Sequence, residues 1–214
     1  MKTSQKLSVV ALCCAAFAVV ALCSSQARAD LPQKTFRLHL ESGLFSLQRG
    51  EIDWDDMPND WDLDLLGAGI GMPQACVGLG FVVWRGLVIG GRVETAFYDD
   101  EYETGDVETF ELAILPYGEY AFLTGLFRPF VTIYLGVRGR AIDYGRDEFD
   151  MWGFATGGGG GAHIFLFDRF SIDLTLLLGV EVGGADWDPG GPGDDDGDYV
   201  MFDMSILVGL SGWI

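Results

Sequence analysis

The sequence predicts an all-β protein: an eight-stranded antiparallel up-and-down β-barrel that crosses a membrane, following a cleaved signal peptide. Three observations predict it. From Phe36 onward the chain repeats eight times a 9–16-residue stretch in which every second residue is apolar. Successive side chains on a strand point to opposite faces, so such a stretch has one apolar and one polar face. The connections alternate between long and acidic and short and arginine-bearing. Beyond the N-terminus no stretch is long and apolar enough for a transmembrane helix, so a membrane-spanning chain of this kind must close into a barrel to satisfy its backbone.

Residues 1–29 read as a signal peptide. Lys2 and Lys6 open it, Leu7 to Cys23 form an apolar run, and Ala27-Arg28-Ala29 fits the small-x-small cleavage pattern before Asp30. Residues 30–214 then form one barrel domain. Cleavage removes three of the 13 basic residues and none of the 32 acids, which leaves a formal charge of −22. That charge excludes nucleic acid as a partner and favours divalent cations or basic partners. Only Cys76 of the four cysteines lies beyond the signal, so the domain has no internal disulfide. No basic residue or histidine adjoins Cys76 in sequence, and it reads as a small apolar strand residue.

The strands follow in order. The first, about Thr35 to Leu47, sets Phe36, Leu38 and Leu40 against Arg37, His39 and Glu41, and an acidic loop over 48–66 carries Trp54 and Trp61. The second, about 69–84, holds Pro73 near its start, where a missing ladder donor makes the end irregular. Arg85-Gly86 is a two-residue turn. The third strand is 87–98, a loop follows over 99–106, and the fourth is 107–123. A turn over 124–128 leads to the fifth, 129–144, which sets Val131, Ile133, Leu135 and Val137 against Thr132, Tyr134, Arg138 and Arg140. After a loop over 145–152, the sixth strand, 153–167, contains the run Gly157 to Gly161, and Asp168-Arg169 is the third short turn. The seventh strand is 170–183, the fourth loop is 184–198, and the eighth strand is 199–214.

The four loops hold 21 of the 32 acids, with only Arg49 and Arg146 as counter-charge, whereas the short turns carry Arg85, Arg128 and Arg169. Long loops outside and short turns in the periplasm are the outer-membrane pattern. The apolar face is expected to face lipid. The polar face carries both signs of charge at mid-strand, the apolar face of the last two strands is free of charge, and Trp84, Phe127, Phe167, Phe170 and Trp213 lie near the short-turn end as an interfacial girdle. The inverse arrangement, a soluble lipocalin-like barrel around an apolar ligand, is the alternative.

From Thr35 to Ile214 the chain resembles the small eight-stranded outer-membrane barrels, the OmpA/OmpX-like group. Besides the architecture, the last strand, Phe202-x-Met204-x-Ile206-x-Val208-x-Leu210, is similar to that group's C-terminal assembly signal, although Trp213 is penultimate where an aromatic is usually last. The resemblance implies an integral outer-membrane location, with membrane lipids and the barrel-assembly machinery as partners. It is nonspecific for activity, because one fold hosts many.

The residues that carry charge on the inward face are Arg37, His39, Glu41, Arg92, Glu94, Glu111, Glu119, Arg138, Arg140, Asp173, Glu181 and Asp203. Eight strands enclose a space that side chains fill, and buried opposite charges pair, so these residues are expected to form a salt-bridged plug. The same residues would line a narrow ion pathway. The loop Gly190 to Asp198 resembles a single calcium-binding nonapeptide, which makes Asp194, Asp196 and Asp198 incomplete candidates for a divalent cation, because such sites need stacked copies. An EF-hand fails because Ser205 stands where its twelfth-position glutamate is required. The glycine run lacks the Lys-Ser/Thr of a phosphate loop and reads as room for neighbouring large side chains. His39 and His163 are the only histidines, and neither has a serine in a lipid-enzyme arrangement. Trp54, Trp61, Trp152 and Trp187 read as loop residues, either interfacial anchors or contacts for an extracellular partner.

These readings lead to a non-enzymatic expectation: a structural or surface-interaction protein with a filled interior, acidic extracellular loops and no cofactor. A small ion-conducting pore is the alternative. A lipid-modifying enzyme and the soluble binding barrel rank below it.

Overall fold

A computed structural model describes residues 35–54, 61–68, 74–102, 105–122, 125–143, 148–188 and 195–214. The expected signal segment 1–29 lies outside them. The strands are β1 (Phe36–Trp54), β2 (Trp61–Ala68), β3 (Ala75–Trp84), β4 (Leu87–Tyr102), β5 (Gly105–Ala121), β6 (Phe127–Asp143), β7 (Glu148–Phe167), β8 (Phe170–Asp188) and β9 (Asp195–Trp213). Every neighbouring pair from β3 to β9 is antiparallel, and β9 returns to pair with β1, which closes the ring. β3 pairs with the lower half of β1 and β2 with its upper half, so the two share one place in an eight-stranded barrel.

Directly paired residues followed around the ring from Arg37 run through Gly80, Gly90, Tyr117, Tyr134, Gly157, Gly179 and Asp203. They return to β1 at Gln48, eleven positions higher. A bulge between Gly43 and Phe45 accounts for one of these, leaving a shear of ten. For eight strands a stagger of this size goes with a tilt of roughly 35–45° and an interior just wide enough for side chains to fill. The bulge also switches the inward set on β1 from odd to even numbers, so that Ser46, Gln48 and Ile52 are buried after Arg37, His39 and Glu41.

The apolar face is outside. Leu38, Leu79, Ile89, Ile114, Ile133 and Leu174 are exposed there, and an outward apolar belt on a closed barrel is the lipid-facing surface. Phe36, Trp84, Phe127 and Phe167 rim it at the short-turn end, and Phe97, Phe110 and Trp152 rim it at the other. Trp213, however, departs from the expected girdle. It shares the inward parity of Ser211 and is buried among Phe165, His163 and Ser171. The Arg85-Gly86 turn has positive φ at both residues, 25° and 87°, as a two-residue hairpin of type I′ requires.

The strands are longer, and the loops shorter, than expected. Most of the predicted acidic loops are strand: β1 runs on to Trp54, β4 to Tyr102 and β8 to Asp188, while β7 starts at Glu148 and β9 at Asp195. Trp54, Trp61, Trp152 and Trp187 therefore all lie on strands, not in loops. The predicted second strand begins outside the described residues, which resume at Gln74, so Pro73 is also outside them. The physical reason for the extension lies in the alternation itself. Above the belt it continues with reversed polarity: Asp53, Asp143, Glu148, Asp150, Asp186 and Asp198 face outward and are exposed. Ile52, Ile142, Phe149, Met151, Ala185, Tyr199 and Met201 face inward and form an apolar cluster. The apolar-out pattern measures the depth of hydrocarbon, whereas backbone pairing continues beyond it into water.

The charged barrel interior as candidate functional site

The twelve charged residues expected inside are all buried there, at 7% exposure or less. All but His39 and Glu41 sit in two clusters, one in each half of the barrel. In the half nearer the short turns, Arg37 donates to Glu119 at 2.7 Å, to Asp173 at 2.8 Å and to Ser211 at 2.9 Å. His163 completes this cluster, with Nδ1 2.8 Å from Asp173 and Nε2 2.9 Å from Glu119. Ser171 and Ser211 donate to Asp173, Trp213 Nε1 donates to Ser171, and Phe130 stacks on the His163 ring at 4.3 Å.

In the upper half Arg138 lies within 3.0–3.5 Å of four carboxylates: Glu94, Glu111, Glu181 and Asp203. Arg140 grips Glu181 with both terminal nitrogens, at 2.6 and 2.9 Å, and reaches Glu111 through Nε at 3.1 Å. Gln48 donates to the same Glu111 oxygen, and Tyr199 donates to Glu181. Arg92 contacts Glu94 at 3.0 Å and lies over the Tyr134 ring at 4.8 Å. Bidentate and shared contacts of this sort are how guanidinium groups neutralise buried acids.

Sequence reasoning placed no face on the glycine-rich β7 and so did not put His163 in the network. Its parity was still readable, because His163 lies two residues from Gly161 and Phe165 on the same face. The glycine run makes room for rings. Tyr134 lies over Gly157, where an added Cβ would come within 2.5 Å of its hydroxyl, and Phe130 lies over Gly161 at 2.7 Å. Inward apolar residues, among them Leu115, Leu177, Leu207 and Phe165, fill much of the remaining space. The polar face read from the sequence is therefore a mixed one.

Between the clusters is a cavity of about 10 Å³, lined in part by His39, Glu41, Tyr117 and Thr175. Glu41 and Cys76 are directly paired across β1 and β3, and His39 lies two residues from Glu41 on the same face. The ligand atoms of His39, Glu41 and Cys76 all lie within 4.8 Å of one another. By contrast, Asp196 and Asp198 are exposed on β9, and Asp194 lies outside the described residues. Both ring nitrogens of His163 face carboxylates, and Ser171 and Ser211 point to Asp173, so among the described residues neither of these serines is placed for activation by His163.

No protein-family model matches the chain, and no curated protein matches it in sequence. Solved structures do resemble it. Neisserial surface protein A aligns with a TM-score of 0.52 at 9% identity over 83% of this chain and 96% of that one. The outer-membrane protein OprG from Pseudomonas aeruginosa aligns at 0.47 and 13%, over 84% and 96%. The outer-membrane protease OmpT from Escherichia coli aligns at 0.46 and 10%, over 86% and 98%. At 9% identity the likeness to Neisserial surface protein A is one of fold. Joined to the closed ring and its outward apolar belt, it identifies the chain as an integral barrel with the fold of the small outer-membrane β-barrel proteins.

Proposed function

We infer that the protein is a non-enzymatic, non-conducting barrel that anchors an acidic rim at the outer surface of the membrane, where it meets basic partners or divalent cations. The observation that carries this reading is the density of the interior. Arg138 and Arg140 tie together acids from β4, β5, β8 and β9, Arg37 and His163 do the same for β5 and β8, and the cavity between is about 10 Å³, scarcely one water. The extended hairpins, with acids outward and an apolar core inside, carry the rim clear of the lipid.

Planar-bilayer recording tests the closed interior. The purified barrel should give no discrete conductance steps, and reproducible stepwise currents from the folded wild-type protein would overturn the reading. Lipid A mass profiles should be identical with and without the protein, and a reproducible change in acylation would replace the non-enzymatic reading with a catalytic one.

A further inference from the structure

We propose that His39, Glu41 and Cys76 form a buried site for one borderline-soft divalent transition-metal ion of the zinc class, clasping β1 to β3. Imidazole nitrogen, carboxylate oxygen and thiolate sulfur are the donors such ions take, whereas calcium and magnesium prefer all-oxygen shells. Three features single these residues out from the rest of the interior. His39 is 2% exposed, yet its Nδ1 has no hydrogen-bond partner. Glu41 is 7% exposed and, among the described residues, has no arginine within ion-pair distance, its single polar contact being the Thr175 hydroxyl at 3.4 Å. Cys76 is a buried free thiol on the strand position facing Glu41. Each of the three is short of a partner, and one cation would serve them all.

The local backbone supports the arrangement. Gly78, two residues from Cys76 on the same face, is covered by the His39 ring, and any side chain there would displace that ring. A tetrahedral zinc with bonds of about 2.0–2.3 Å holds its ligand atoms about 3.5 Å apart. The present separations, all within 4.8 Å, reach that by side-chain rotation. Three protein ligands leave a fourth position, and the water-sized cavity bordering His39 and Glu41 can hold a solvent ligand. Charge also favours a cation. Seven buried carboxylates face four buried arginines; of the two arginines that line the same cavity, Arg37 is held by Glu119 and Asp173, and Arg92 contacts Glu94 at 3.0 Å and leaves its Nε without a hydrogen-bond partner. On binding, the thiol gives up its proton to solvent and the sulfur coordinates as thiolate. The seam that would be clasped is short: β1 and β3 share seven paired positions, against eighteen for β8 and β9.

The test uses the barrel folded in detergent, stripped with chelator, then exposed to Zn²⁺ or Co²⁺. Elemental analysis should find about one equivalent per chain after gel filtration, and Co²⁺ should give a near-ultraviolet thiolate charge-transfer band. Cys76→Ser, checked for folding by heat-modifiable migration, should abolish that band, and Cys76→Ser and His39→Gln should each weaken binding ~10-fold or more. Bound metal should also shield Cys76 from alkylation. Failure of the folded wild type to retain metal would overturn the proposal. So would retention that is equal in Cys76→Ser, which would assign the ion to the surface acids instead.

Discussion

Arg138 makes more ion pairs than any other interior side chain described, touching four acids on four inward positions. Removing it strands buried carboxylates, and breaking a buried pair of this kind costs about 3–5 kcal/mol. Arg138→Ala should therefore lower the urea midpoint of the heat-modifiable form sharply, and Arg138→Lys should rescue little of it, because a point charge cannot match a fork that serves Glu94, Glu111, Glu181 and Asp203 together. An equal effect from alanine at the exposed rim residue Glu148 would contradict this. Glycines offer a second contrast. At Gly157 an added methyl meets the Tyr134 hydroxyl and the Leu178 backbone, whereas at Gly91, on the lipid face, it meets nothing within 4 Å. Gly157→Ala should destabilise by about 1–3 kcal/mol. Gly91→Ala should stay within about 0.5 kcal/mol, read from the same denaturation curves.

At the scale of the element, the outward acids above the belt are set in register. Glu108 faces Asp143 and Asp143 faces Glu148, while Asp150 faces Asp186 and Asp186 faces Asp196. Like charges directly opposite destabilise a strand pair by a few tenths to about 1 kcal/mol each. The upper hairpins should thus open more readily than the belt, and raising salt toward ~1 M should slow their amide exchange by screening this repulsion. Asp186→Asn should do the same at low salt, since Asp186 has an acid on either side. Exchange in the upper hairpins that ignores both changes would show that these ladders carry no repulsion. This polarity reversal was also where the sequence misled. Glu148-Phe149-Asp150-Met151 alternates as regularly as any belt segment but in the opposite phase, and a search for apolar-out strands assigns it to a loop. Acid content suggested loops, although carboxylates on a water-facing edge leave the backbone ladder intact.

For the whole molecule, the eightfold alternation was enough to read the ring, and both signs of charge on one face were enough to turn the apolar face outward and the charged set inward. Parity along a strand is a local property, so the twelve charged residues could be assigned inward one strand at a time. What could not be read that way depends on register between strands. Nothing near Cys76 in sequence pointed to His39 and Glu41, because their meeting depends on Glu41 pairing with Cys76 across the β1–β3 seam. Trp213 failed for a related reason: a terminal aromatic suggests an interface anchor, but its parity with Ser211 turns it into the barrel.

The pairing of β1 with β9 runs seventeen positions, from Arg37–Trp213 to Trp54–Gly197, and at its foot Phe36 and Ile214 exchange two backbone hydrogen bonds. The first strand to leave the ribosome therefore finds one of its two neighbours only when the last has been delivered. Until then the growing sheet has two raw edges, each able to capture another chain. Closure is therefore late by construction: the seam that removes both edges forms only when β9 lies against β1.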